Sequence, residues 1–108
     1  MDASKPSTII HFVRHGEVDN PTHVRYGRLP GFHLNSSGRR EIEQTAHHLV
    51  RFPIQAIYTS PLERTQQSAT VLAMAFPSIP IRIDDRLLEN KTAPQFEGKS
   101  RSIPFVYP

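Results

Sequence analysis

The run Ile9-Ile10-His11-Phe12-Val13 leads directly into Arg14-His15-Gly16-Glu17, and this junction is the most informative feature of the chain. A short, mostly apolar run of this kind is typical of a buried strand. Arg14 and His15 would then lie at its carboxyl end, where open α/β sheets place their ligands. A neutral histidine nitrogen can attack phosphorus, and a neighbouring guanidinium can hold two phosphate oxygens at once. The junction therefore predicts a phosphohistidine site.

Strand and helix patterns alternate along the rest of the chain. Ser60 and Pro61 suit the N-cap and first position of the second helix, and Pro77 suits its end. The predicted elements are strands over 9–13, 54–58 and 79–83, a loop over 17–37, and helices over 39–51 and 61–76. This order predicts an α/β protein with a mainly parallel sheet and right-handed crossovers.

Length and composition indicate one small globular domain. The chain has 108 residues, no cysteine and a formal charge of +3. The missing thiols exclude disulfides and thiolate metal sites, and without a Lys/Arg run we expect no nucleic-acid partner. No apolar stretch approaches the ~20 residues that span a bilayer, and residues 1–8 do not resemble a secretory signal. We expect a cytoplasmic protein with no membrane partner.

A second strand end carries the other candidate residue. Arg64 follows Ser60-Pro61-Leu62-Glu63 and lies in the first turn of the predicted second helix. A helix N-terminus attracts anions, and an arginine there gains nothing from the helix dipole. Taken alone, Arg64 would more often be an ordinary surface arginine, and His15 a structural or surface histidine. Because each follows a strand of the same expected sheet, their joint placement favours a phosphate site.

Ordered blocks of the sequence extend this pattern. They are Arg14-His15-Gly16-Glu17, Tyr26-Gly27-Arg28-Leu29-Pro30-Gly31-Phe32, Leu34-Asn35-Ser36-Ser37-Gly38, Ser60-Pro61-Leu62-Glu63-Arg64-Thr65 with Ala69, and Leu88-Glu89 with Phe96-Glu97-Gly98. Over roughly residues 8–99 they resemble the histidine phosphatase superfamily, the phosphoglycerate mutase-like family. The resemblance implies a three-layer α/β/α fold with a mainly parallel sheet. We divide the chain into a flexible tail (1–8), a histidine phosphatase-like domain (9–99) and an irregular apolar end (100–108).

The resemblance also implies roles for individual residues. His15 would be the nucleophile that becomes phosphorylated, with Arg14 and Arg64 clamping the phosphate. Glu89 would protonate the leaving oxygen. The implied partner is a phosphorylated small molecule, and no metal or cofactor is implied.

Three further positions leave alternatives open. Asn20 lies near the place of a phosphate-contacting asparagine in the family, although its spacing from His15 is one residue short. Arg28 either faces the substrate or belongs to the architecture of its loop. Glu97 competes with Glu89 for the role of acid.

The chain also departs from the family pattern. Family members are about twice as long, and their second half supplies another phosphate-contacting histidine, on a strand between the first two strands of the sheet. The remaining histidines occupy other places: His11, His23, His33, His47 and His48. We therefore expect a truncated form whose own activity is uncertain. The alternatives are a phosphatase, a mutase-type phosphotransferase and a non-catalytic phosphate-binding module, and the oligomeric state does not follow from the sequence.

Overall fold

A parallel strand pair with a helical crossover forms the frame of the chain. The computed structural model describes residues 7–88. The elements are α1 (Ser36–Leu49), β1 (Ile57–Thr59), α2 (Glu63–Ala73), β2 (Ile81–Ile83) and a 3-10 turn over Asp85–Leu87. β1 and β2 pair in parallel, with Ile57 opposite Ile81 and Thr59 opposite Ile83. The chain thus forms the βαβ unit that the alternation predicted, with strands shorter than expected.

The hydrophobic core lies where the two helices meet β1. Its buried members are Ile42, Ala46, Leu49, Ile57, Ala69, Val71 and Leu72. The three α1 residues in this set follow the spacing of one helix face, which confirms the periodicity of the predicted helix. Neither α1 nor α2 is long and apolar enough to cross a membrane.

Helix α1 begins at Ser36 rather than at the predicted Arg39. The reason is its N-cap, because the Asn35 side-chain oxygen accepts a hydrogen bond of 2.8 Å from the Gly38 N–H. Asparagine is a favoured N-cap residue, so a residue assigned to a loop break in fact starts the helix.

Helix α2 also begins differently from the prediction. Its N-cap is Leu62, which makes no side-chain cap bond, and the first helical residue is Glu63. The predicted cap, Ser60, instead places its hydroxyl 2.6 Å from that of Thr65. Thr65 also donates to the Leu62 carbonyl at 2.9 Å. The Ser60 prediction is therefore wrong, since its hydroxyl binds a side chain and no helix N–H.

The predicted first strand is not formed in the described part of the chain. Residues 9–13 belong to no strand there, and the sheet contains β1 and β2. Ile10 is 67% exposed and Phe12 is 90% exposed. A strand requires backbone partners on a neighbouring strand, and residues 7–88 supply none for this segment. The apolar pattern identified a segment suited to a sheet interior, but pairing depends on residues far away in sequence.

The loop between residues 17 and 35 closes on itself. Val18 and Leu34 form an isolated antiparallel bridge. The Asp19 N–H donates to the His33 carbonyl at 2.8 Å, and the Asn35 N–H donates to the Glu17 carbonyl at 3.0 Å. These bonds tie the end of the His15 segment to the start of α1.

Candidate active site

His15 is half-buried, and its ring is oriented by the neighbouring backbone. Its Nδ1 atom lies 2.7 Å from the Gly16 carbonyl oxygen. A carbonyl oxygen can only accept, so Nδ1 carries the proton of this bond. In the neutral ring the lone pair then lies on Nε2. The geometry thus assigns the tautomer that a nucleophilic Nε2 requires.

Gly16 is held from two sides. Its N–H donates to the Ser68 hydroxyl of α2 at 3.1 Å. On the other side it packs against α1, where a Cβ on Gly16 would lie 2.7 Å from the Gly38 carbonyl carbon. Only a residue without a side chain permits this approach. The backbone beside His15 is therefore fixed between the two helices.

Arg64 is a buried cation at the N-terminal turn of α2. It is 1% exposed, and its Nη2 donates to the Gly27 carbonyl. Its Nε atom is buried without a hydrogen-bond partner, and among residues 7–88 no carboxylate forms an ion pair with it. A buried charge without a counter-ion is strongly disfavoured, so this position suits an anionic ligand.

Tyr26 brings the histidine and the arginine together. The Arg64 Cζ atom lies 4.5 Å from the centroid of the Tyr26 ring, a cation–π arrangement. The His15 ring meets the same tyrosine edge-on, with 6.4 Å between centroids, and Phe32 packs beside it at 5.0 Å. Tyr26 belongs to one of the sequence blocks that resemble the family, but the sequence indicated no role for it. An aromatic residue next to Gly27 and Arg28 was the available signal.

A cavity of about 190 Å³ opens beside Arg64. Its lining consists of Arg28, Leu29, Pro30, Gly31, Phe32, Pro61, Leu62, Glu63 and Arg64. The structure therefore brings the predicted residues Arg28 and Arg64 to one space, whose lining is mixed polar and apolar and includes Glu63.

The loop that forms one wall of the cavity is anchored to α2. Gln67 accepts a hydrogen bond from the Leu34 N–H and donates to the His33 Nδ1 atom, both at 2.8 Å. The His33 Nε2 atom lies 3.0 Å from a Glu63 carboxylate oxygen. These side chains were not predicted as site residues, because their contacts depend on how the loop crosses the helix.

The remaining predicted site residues are Arg14, Asn20, Glu89 and Glu97. Arg14 is exposed to solvent. The Asn20 amide makes two bonds to the Val24 backbone, at 3.0 and 3.1 Å, and so serves the turn of its own loop. Glu89 and Glu97 lie outside the described residues. Within residues 7–88 no three histidine, aspartate or glutamate side chains are grouped to hold a metal ion.

The His15 ring and the Arg64 guanidinium thus contact one tyrosine in an α/β chain. The sequence model of the histidine phosphatase superfamily (branch 1) matches residues 10–104, and the chain belongs to this family.

Two relatives in Mycobacterium tuberculosis are similar in sequence. The uncharacterized protein Rv0525 of strain H37Rv is 44% identical over 92 residues, which cover 85% of this chain and 44% of the relative. The uncharacterized protein MT0547 of strain CDC 1551 is 43% identical over 83 residues, with 77% and 41% covered. The chain thus spans less than half the length of these relatives.

Solved structures share the fold. Mycobacterial glucosyl-3-phosphoglycerate phosphatase Rv2419c, in complex with VO3, has a TM-score of 0.71 at 26% identity, covering 82% of this chain and 43% of its own. Bacillus stearothermophilus YhfR has a TM-score of 0.71 at 30% identity, with the same coverage of 82% and 43%. The α/β class and the phosphoglycerate mutase-like fold predicted from the sequence are confirmed, and the phosphatases among these neighbours indicate hydrolase chemistry for the family.

Proposed function

We propose that this chain carries the nucleophilic part of a phosphomonoesterase that works through a phosphohistidine on His15. The observation that supports this most directly is that the oriented His15 ring and the buried Arg64 guanidinium contact the same Tyr26 ring. The Nε2 lone pair would attack phosphorus while Arg64 neutralises the phosphate oxygens. Positioning and charge neutralisation supply most of the catalysis in phosphoryl transfer.

The proposed reaction has two steps. In the first, Nε2 forms a bond to phosphorus and the ester P–O bond breaks, with its electron pair going to the leaving oxygen. That oxygen takes a proton from an acid, for which Glu89 remains our candidate and Glu97 the alternative. In the second, water cleaves the phosphohistidine and returns His15 to its starting state. The substrate is a phosphorylated small molecule, held by Arg64 with Arg14, Asn20 and Arg28 as proposed contacts.

We further propose that full turnover needs residues that this chain lacks. The chain spans 44% of its relative Rv0525, and none of its histidines takes the place of the second phosphate-contacting histidine implied by the family. A chain with His15 and Arg64 alone could accept a phosphoryl group and release it slowly. The cytoplasmic location expected from the sequence stays a prediction.

Labelling with a radioactive phosphodonor such as phosphoramidate tests the nucleophile. We expect acid-labile, base-stable label on the parent chain and none on His15→Ala. His47→Ala, on the exposed face of α1, is the matched control and should label like the parent. Equal labelling of His15→Ala and the parent would remove His15 from the reaction.

A non-catalytic phosphate-binding module is the second candidate, because Arg64 is buried and pairs with no carboxylate among residues 7–88, whether or not His15 reacts. This form would bind orthovanadate or phosphate in a calorimeter, with affinity dependent on Arg64, and would take up no label. Label on His15 excludes the non-catalytic module.

The acid is tested by leaving-group dependence in a form that turns over. Glu89→Gln should slow the hydrolysis of alkyl phosphates far more than that of p-nitrophenyl phosphate, whose leaving group hardly needs a proton. A uniform slowdown on both would transfer the role to Glu97 or to a residue outside this chain.

A further inference from the structure

Ser68 links the two parts of the candidate site. It lies in the middle of α2 and is 6% exposed. Its hydroxyl donates to the Arg64 carbonyl at 2.9 Å and accepts from the Gly16 N–H at 3.1 Å. One hydroxyl therefore connects the residue beside the nucleophile with the residue that carries the buried cation.

The contact with Gly16 reaches the His15 ring. Gly16 donates its N–H to Ser68, while its carbonyl accepts from His15 Nδ1. The Gly16 N–H belongs to the same planar peptide unit as the His15 carbonyl, so its bond to Ser68 fixes the plane that joins His15 to Gly16, a glycine whose backbone would otherwise have wide freedom. Packing against Gly38 blocks Gly16 on one side, and Ser68 supplies the directional bond on the other.

The bond from Ser68 to the Arg64 carbonyl links the same hydroxyl to the residue that carries the buried cation. Ser68 and Arg64 lie one turn apart on α2, so the helix fixes their spacing. Since Gly16 is held to that turn, the His15 backbone has a defined distance from the base of the Arg64 side chain.

We propose that Ser68 is a positioning residue, which holds the His15 ring in its Nδ1-protonated orientation and in register with Arg64. The proposal rests on the proposed function of His15, and it goes beyond it by naming the group that orients the nucleophile.

A simpler role for Ser68 is the ordinary back-bond of a helical hydroxyl to the carbonyl four residues earlier. Thr70 shows that role on the same helix, since it donates to the Gln66 carbonyl at 2.9 Å and is exposed. Thr70 has no bond to the His15 segment. Comparing the two positions therefore separates helix back-bonding from the bond to Gly16.

The experiment uses the purified chain with Ser68→Ala, Ser68→Cys and the control Thr70→Ala. The first measurement is the rate of His15 phosphorylation by phosphoramidate, followed by phosphorus NMR. The second is the tautomer of His15, from the nitrogen chemical shifts of its ring. Urea unfolding of each variant shows whether it is folded, and Ser68→Cys keeps the side-chain size with a weaker hydrogen-bonding atom.

We expect Ser68→Ala to slow phosphorylation by about 10–100-fold, the usual effect of losing a residue that orients a reacting group. Ser68→Cys should fall between Ser68→Ala and the parent. In both, the His15 nitrogen shifts should move from the Nδ1-protonated form towards a mixture. Thr70→Ala should match the parent in rate and tautomer.

Parental rate and tautomer in folded Ser68→Ala would overturn the proposal, and so would equal losses in Ser68→Ala and Thr70→Ala. If Ser68→Ala does not fold, Ser68→Cys decides by the same criteria. If the parent takes up no phosphoryl group, the proposed function fails, while the tautomer shifts still test Ser68.

Discussion

Replacing Gly38 by alanine sets two opposing effects against each other. Gly38 lies in the first turn of α1, where alanine favours the helix by up to about 1 kcal/mol. A Cβ at this position would lie 2.6 Å from the Glu17 backbone nitrogen and 2.9 Å from its carbonyl carbon. Carbon contacts are normally about 3.5–4.0 Å, so the overlap involves backbone that must move.

Glu17 has little room to retreat. Its carbonyl accepts the Asn35 N–H at 3.0 Å, and its carboxylate accepts the Asn35 side-chain amide at 3.0 Å. Asn35 is also the cap of α1. Overpacking of this kind costs about 1–3 kcal/mol, which exceeds the gain in helix propensity. We expect Gly38→Ala to lower the free energy of unfolding by about 1–2 kcal/mol.

Urea unfolding followed by far-UV circular dichroism measures this change. In a domain of this size, 1 kcal/mol also lowers the melting temperature by about 4–8 °C. The control is Gln44→Ala, an exposed position on the same helix, which should change stability by less than about 0.5 kcal/mol. A Gly38→Ala chain more stable than the parent would refute the reasoning, since propensity would then outweigh the contact with Glu17.

Three further outcomes follow from the structure. Arg64→Ala should weaken orthovanadate binding, measured by calorimetry, by about 2–5 kcal/mol. The control is Arg39→Ala, which should change binding little, because Arg39 is exposed and pairs with an exposed glutamate. Equal losses in both variants would indicate an effect of general charge and not a phosphate clamp. The hydrogen bond from Arg86 lowers the pKa of Asp84 from 3.8 to about 2, so its stabilisation is present above pH 3.8 and lost as the pH falls towards 2. Asp84→Asn should therefore flatten stability across that interval in urea unfolding at stepped pH, and an unchanged curve would contradict it. Phe12→Ser should change the free energy of unfolding of this chain by less than about 0.5 kcal/mol in urea, because Phe12 is 90% exposed, and a larger loss would show that this side chain is packed.

Local patterns predicted the helices and the parallel pair well. The spacing of Ile42, Ala46, Leu49 and Val50 predicted one apolar face of the first helix. The structure buries the first three, while Val50 is 52% exposed. Helix α1 begins at Ser36 and not at the predicted Arg39, because Asn35 acts as its N-cap. Asparagine is a favoured N-cap residue, so the local sequence contained this signal. The strand over 9–13 was wrong for a different reason, since an apolar run shows what a segment can bury but not what it pairs with.

The sequence predicted the candidate site residues that bear functional groups, but it did not predict the contacts that support them. His15 and Arg64 stand out because each follows a strand pattern and bears a functional group suited to phosphate. Ser68 and Gly38 carry no such local signal. The bond from Gly16 to Ser68 joins residues 52 positions apart, and it exists only because the His15 segment crosses α2. The sequence thus identified the candidate reacting groups, while the structure shows the contacts made by the backbone beside them.

The burial of Arg64 is the strongest argument that this orientation serves an anion. A domain of this size has a total stability of only about 5–15 kcal/mol, and an unpaired buried charge consumes several of them. The Tyr26 ring and the Gly27 carbonyl offset part of that loss, yet neither neutralises the charge. A purely structural role would be served as well by an apolar side chain of similar volume. Because no carboxylate among residues 7–88 pairs with Arg64, a ligand that supplies the negative charge best explains the cation, and the His15 ring contacts the same tyrosine.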